Sequence, residues 1–438
     1  MPRIAIHRTP LLIAAALALA PMAARAQAPS PAERRITAYV DAHVDEAIAL
    51  LERTVNINSG TGNVEGVREV GRVYAAQLDS LGFATRWISL PDSLGRAGHL
   101  FAELRGRRGK RVLLIGHLDT VFEKDSPFQR WVRSGDTANG PGSSDMKGGD
   151  VVILYALRAL RAAGALRDRR IVVAMTGDEE NPGRPLSIAR AELIEAGKNA
   201  DAALEFEGAS REENGRETAV TSRRSSTTWT LRVTARSAHS SGIFAEGVGS
   251  GAIYEAARIL EAFRTQLREP GLTYNPGMIA GGTEVGFTGG ESRGTAFGKS
   301  NVIAATAVVT GDIRTLTDEQ LQRTRERMRQ IVAASLPQAR AEITFAEGYP
   351  SMPPTPGNLA ILGTLNEVNR ALGAPTVDAN DPGRRGAGDI SFVAPYVSGV
   401  GGLGVHGGGS HTERETVDLS TLPQQIKRAA LLIYRLTR

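Results

Sequence analysis

Five short segments of this sequence gather His, Asp and Glu beside glycine. They are Gly116-His117-Leu118-Asp119-Thr120, the run Gly140–Gly149 that contains Asp145, Thr176-Gly177-Asp178-Glu179-Glu180, Glu205-Phe206-Glu207-Gly208, and Gly408–Glu415 with His411. Imidazole and carboxylate together are the donor set of a borderline or hard divalent cation. The chain has no cysteine, so thiolate sites and disulfides are excluded and any metal must sit on His, Asp and Glu. A carboxylate such as Asp145 can bridge two ions about 3.5–4 Å apart, a recognised hydrolytic arrangement. Singly, each segment has a plainer reading: His117 and Asp119 as a structural pair, Asp178–Glu180 as a solvated charge run, Gly140–Gly149 as a phosphate loop. The charge run directly follows an apolar stretch, where its repulsion needs a cation to relieve it. The phosphate-loop reading fails in detail, because Lys147 is followed by Gly148 rather than Ser or Thr.

These residues need elements that bring them together. Arg111–Gly116, Ile171–Thr176 and Ala202–Phe206 are apolar runs of the kind expected for strands buried on both faces. Between the first two, Gly148–Ala163 has the spacing of an amphipathic helix. Strand, helix, strand in this order predicts a doubly wound α/β layer, and ligands bind such sheets at the C-terminal strand ends, where three of the five segments fall. Helices are also expected at Ala38–Val55, Val64–Leu81, Leu359–Leu372 and Thr421–Leu436, with residues 27–35 as a mobile leader. Near residue 217 the pattern changes. An alternating strand over Thr218–Thr234, a helix at Gly251–Leu267, a strand at Asn301–Arg314, a helix at Thr317–Leu336 and a strand at Arg340–Phe345 predict a separate α+β unit. The expected division is therefore 27–216 and 348–438 for a catalytic domain, with 217–347 inserted into it.

Residues 1–26 read as an export signal: basic Arg3 and Arg8, an apolar run from Leu11 to Ala20, and a small-residue cleavage site ending at Ala26. The run is about ten residues, short of the ~20 that span a bilayer. Cleavage after Ala26 implies a periplasmic or secreted protein with no membrane attachment. It also leaves 412 residues and removes three arginines, so the net charge falls from +5 to +2. The remaining basic residues are scattered, with no polybasic block and no interleaved aromatics, which argues against a nucleic-acid partner.

The five segments together resemble the dizinc metallopeptidase family of glutamate carboxypeptidase, aminoacylase and acetylornithine deacetylase. The resemblance covers the mature chain, the inserted unit included. It implies a zinc-peptidase-like catalytic domain with a mixed, mostly parallel sheet, an inserted α+β lid and dimerisation domain, and two zinc ions per chain. His117 would ligate one ion with Asp119 behind it, Asp145 would bridge both, and Glu207 would complete that site. Glu180 and His411 would complete the other, leaving Glu179 as general base. Glu205 is the rival of Glu207, and His406 of His411. The resemblance favours Glu207 because it precedes a glycine turn, and His411 because Glu415 follows it.

In the inserted unit, the resemblance makes His239 a contact to a partner subunit's site, Arg314 a grip on the substrate carboxylate, and Asn301 a nearby polar contact. A homodimer through that unit follows. Three departures bear on the substrate pocket and none touches a ligand: Ala235-Arg236, Asn181-Pro182-Gly183 and Arg223-Arg224. The implied activity is hydrolysis of small peptides or acylated amino acids with a free carboxylate. An N-acyl amino acid deacylase of the same fold is the alternative within the fold. An aminopeptidase of the single-domain dizinc type lacks the insertion, and an inactive periplasmic binding protein would have lost a ligand or the base.

Overall fold

A computed structural model describes residues 29–212, 214–288, 293–384 and 386–438. The expected export signal, 1–26, lies outside the described residues. Part of the expected leader is helical instead. Ser30 caps the helix Pro31–Ala42 in a reciprocal capping box with Glu33, and Pro31 occupies its first turn. Glu33 also pairs with Arg435 near the chain's end, so this segment is fastened rather than loose. The helix expected over Ala38–Val55 is broken at His43, with Val44–Val55 following.

The main sheet has six strands, in the order Ala84–Ile88, His99–Arg105, Arg169–Thr176, Arg108–His117, Ala202–Glu205 and Gly399–Val400. The last four run parallel, while the first two join antiparallel at one edge. The sheet is thus mixed and mostly parallel, and the chain is α/β. Valine, leucine and isoleucine fill its middle strands because both faces are covered. On one face lies the helix Lys147–Ala162, itself packed by Pro31–Ala42, Val44–Val55 and the C-terminal helix Leu422–Leu436. The approach is close enough to require glycine at two points. A Cβ on Gly116 would stand 2.2 Å from Asp150 Oδ1, and one on Gly149 would stand 1.8 Å from the Phe206 carbonyl oxygen. That contact draws three of the five segments together.

A second sheet, ordered Thr273–Gly282, Thr306–Arg314, Thr227–Ala235 and Ala339–Phe345, is antiparallel throughout. The helix Ala252–Gln266 packs against it, beside Asp318–Ala333, and the two enclose a core of their own around Trp229, Leu231, Ile259, Phe263 and Val309. The single strand expected over Thr218–Thr234 is two strands. Glu217–Ala219 pairs with Ser210–Arg211 and Asp378–Ala379, and only Thr227–Ala235 joins the second sheet. The two crossings between the units run side by side, with backbone pairing of Arg223 to Met352 and of Ser226 to Tyr349. Among the described residues, no helix is long and apolar enough to cross a membrane.

Candidate metal centre

The ends of three parallel strands and two loops deliver seven side chains to one place. His117 is the last residue of its strand and is 1% exposed. Its Nε2 lies 3.4 Å from Asp145 Oδ1 and 3.3 Å from Glu207 Oε1. Asp145 closes the loop before the helix Lys147–Ala162 and turns its other oxygen, Oδ2, to within 3.2 Å of His411 Nε2. Glu180 Oε2 stands 3.1 Å from that same nitrogen. Asp145 therefore reaches both imidazoles, one with each oxygen.

Two supports hold this arrangement. Asp119, fully buried, faces His117 Nδ1 at 3.4 Å and accepts from the backbone N–H groups of Glu179 at 2.9 Å and Glu180 at 3.1 Å. Thr61 donates to it as well, at 2.6 Å. Asp119 thus fixes the glutamate pair through its carboxylate and also meets His117 Nδ1 through its backbone carbonyl, at 3.1 Å. The second support is Glu415, which accepts from the N–H groups of Gly142, Ser144 and Asp145 and so moulds the loop that carries Asp145.

The charges are unbalanced. Asp119, Asp145, Glu179, Glu180 and Glu207 converge on two imidazoles. Burial opposes charge on His117, but the facing carboxylates of Asp119, Asp145 and Glu207 outweigh burial and raise its pKa well above the ordinary imidazole value. Asp145 and Glu180 push His411 up to about 11. Burial resists the charge on Asp145, yet both imidazoles hold it below the usual carboxylate range. Burial raises Glu180 to about 7 and lifts Glu179 well above its usual value. Such a cluster is in want of cations.

The donor set fits a metal. Among the described residues, His117, Asp145 and Glu180 place ligand atoms within 4.8 Å of one another, as do His117, Glu179 and Glu207. The buried Nε2 of His117 has no hydrogen-bond partner and is aimed at the cluster. An imidazole nitrogen without a hydrogen-bond partner, beside several carboxylate oxygens, is what a dication takes up.

The comparisons with known proteins agree. The model of peptidase family M20/M25/M40 matches residues 113–435. This chain belongs to that family. Carboxypeptidase G2 of Pseudomonas sp. (strain RS-16) is 30% identical, with 98% of each chain covered. The succinyl-diaminopimelate desuccinylase of Gluconacetobacter diazotrophicus is 33% identical across 25% of this chain and 29% of its own. In fold, the chain is similar to the aminopeptidase PepT of Bacillus cereus, with a TM-score of 0.72 and 16% identity over 90% of this chain and 99% of that one.

Within this M20 chain the rivals of the expected ligands have other partners. Glu205 is buried, with Arg223 Nη2 donating at 2.5 Å and the Ile390 N–H at 3.0 Å. His406 lies against Glu217, 3.4 Å away. The three expected substrate contacts are not among the converging residues. His239 and Asn301 are exposed neighbours. The Ser240 N–H donates to the Asn301 carbonyl at 2.9 Å, and the backbone of His239 pairs with that of Val302. Arg314 ends the strand Thr306–Arg314 and donates from Nε to Asp312 at 2.8 Å. That strand separates Arg314 from the His239–Asn301 corner by about 25 Å at the usual rise per residue. The Arg314 end lies beside the outward crossing, where the Thr315 N–H donates to Ser225 Oγ.

Sequence reasoning missed the contacts of several residues that shape the site, although Glu415 and Arg223 stood out in the sequence. Thr61 and Glu415 act through hydrogen bonds to residues far along the chain. Arg223 and Arg190 are arginines with 2% and 0% exposure, buried by acids that lie elsewhere in the sequence. Only Glu415 left a local signal, its fixed spacing after His411.

Proposed function

We propose that this chain is an exported, zinc-dependent, carboxypeptidase-like hydrolase of amide bonds in small peptides or acylated amino acids with a free carboxylate. The observation that carries the reading is Asp145, whose two oxygens reach the two imidazoles at 3.4 and 3.2 Å. His117, Asp145 and Glu207 would hold one zinc ion, and Asp145, Glu180 and His411 the other. Such a pair, when bound, acidifies a water and polarises the scissile carbonyl. Glu179 takes the proton at its carboxylate and delivers it to the departing amine nitrogen. Arg314 would grip the substrate carboxylate through paired N–H bonds, exchanging Asp312 for the substrate.

The unit 217–347 would serve as lid and dimerisation surface, with His239 and Asn301 reaching the site of a second copy. The length of the Thr306–Arg314 strand supports this, since one chain cannot bring both ends to one small substrate. Export would follow cleavage after Ala26, giving a periplasmic or secreted enzyme. The full-length likeness to a carboxypeptidase supports the peptidase reading. The shorter likeness to desuccinylases favours a second reading, an N-acyl amino acid deacylase.

One panel separates the two. The mature protein is offered dipeptides with C-terminal Glu, Asp or apolar residues, and N-acetyl and N-succinyl amino acids, with and without a chelator. Chelator-sensitive release of one C-terminal class is the expected result. Preference for the N-acyl compounds would establish the deacylase, and no turnover by zinc-loaded protein would overturn both substrate classes.

A further inference from the structure

The backbone around Glu179 is held on both sides by groups that the hydrolytic reading does not use. Arg190, fully buried, donates from Nε to Asp389 Oδ1 at 2.8 Å and from Nη1 to Asp178 Oδ1 at 2.5 Å. Its Nη2 donates to the Asp178 carbonyl at 3.1 Å and to the Tyr349 hydroxyl at 3.0 Å. The Tyr349 hydroxyl then donates to the Glu179 carbonyl at 2.8 Å. The order of donors is forced, because a guanidinium only donates, so the phenol's single proton is left for Glu179.

Together with Asp119, these bonds pin two peptide planes. The plane joining residues 178 and 179 is held at its carbonyl by Arg190 and at its N–H by Asp119. The plane joining 179 and 180 is held at its carbonyl by Tyr349 and at its N–H by Asp119. Fixing both planes fixes the backbone dihedrals of Glu179, and hence the direction of its Cα–Cβ bond.

Tyr349 belongs to the return crossing from the second sheet, and its carbonyl accepts from the Ser226 N–H of the outward crossing at 3.0 Å. Two residues earlier, the Glu347 carboxylate accepts from the Leu186 N–H, and its carbonyl accepts from Arg184. The return crossing is therefore fastened along the segment that follows the base. The Tyr349 ring packs edge-on against Phe392 at 4.8 Å. A phenylalanine could do that equally well, so packing does not account for the hydroxyl.

We propose that Tyr349 is a positioning residue for Glu179, aiming the base through its carbonyl and linking it to the return crossing from the second sheet. This rests on the reading of Glu179 as the base. An Arg190 variant would leave Asp178 and Asp389 buried without their partner and would endanger the fold. Tyr349→Phe is the cleaner probe.

The test compares wild type, Tyr349→Phe, Glu179→Gln and the double variant, all metal-loaded, on the substrate that wild type turns over best. Tyr349→Phe is expected to lower kcat about tenfold or more through misplacement of the base. KM, bound metal and Tm should stay near wild type. In the Glu179→Gln background the same change should cost nothing further, because both act through one group. Phe392→Leu should lower Tm and leave kcat near wild type. Unchanged kcat in Tyr349→Phe, or an additive loss in the double variant, would overturn the proposal. Full activity in Glu179→Gln would instead overturn the base reading, and this proposal with it.

Discussion

Glu179 and Glu180 are neighbours in sequence, yet their carboxylates meet different company. Glu180 lies 3.1 Å from His411, while Glu179 groups with His117 and Glu207. A carboxylate engaged by a metal has few lone pairs left to accept a proton, so adjacent glutamates can divide into ligand and base. Glu179→Gln is expected to retain full metal content and to lose about 10²–10⁴-fold in kcat, the usual worth of a general base. Glu180→Ala should lose metal as well as activity. Elemental analysis of the two purified variants beside their turnover checks the assignment, and metal loss from Glu179→Gln instead would show the roles exchanged.

At the scale of elements, the loop Gly140–Met146 and the strand Glu217–Ala219 each depend on one distant acid or base. Glu415→Gln replaces one of two oxygens that now accept from three N–H groups by an NH2 donor, so the Asp145 loop should loosen. Metal affinity is expected to fall about 10–100-fold, the usual cost of losing a group behind a ligand. Competition with a chromogenic chelator measures it. Glu217 joins its strand to the helix Leu422–Leu436 through Arg428. Burial works against its charge, but His406 and Arg428 prevail and hold its pKa down to about 2. A depressed carboxylate stabilises the fold above its unfolded pKa of about 4.3, and that contribution is lost as pH falls toward the folded value. The difference in urea midpoint between metal-stripped wild type and Glu217→Gln should be constant above about pH 5 and should shrink toward zero near pH 2.

Three of the four parallel strands were legible because a strand covered on both faces is written as a continuous apolar run. So were the five segments, three of them at strand ends. The strands Ala84–Ile88 and Thr273–Gly282 left no such trace: both are partly exposed, and the second is interrupted by Pro276 and Gly277. The bonds made by Arg190, Arg223 and Glu415 were illegible for another reason. Each joins residues whose proximity exists only after the chain has folded, and local spacing does not encode it.

For the whole molecule, the placement of His239 makes a prediction about pairs of chains. If His239 serves the site of a second copy, a dimer of one Glu179→Gln chain and one His239→Ala chain has one intact site. Random pairing of the two inactive variants by co-expression should then restore about a quarter of wild-type activity, by the symmetry of a two-fold dimer. If His239 serves its own chain, both sites stay defective and none returns. Assay of the co-expressed mixture against each variant alone decides it. The layering around the main sheet also governs the order of its making. The helix Lys147–Ala162 packs between the first helix and the last, and the strand Gly399–Val400 completes the main sheet. A ribosome must therefore emit Gly399–Val400 before the sheet can close, and contacts this far apart in sequence form slowly. Nascent chains ending before Gly399 are expected to remain protease-sensitive and to bind zinc no better than denatured protein, as limited proteolysis and zinc titration would show.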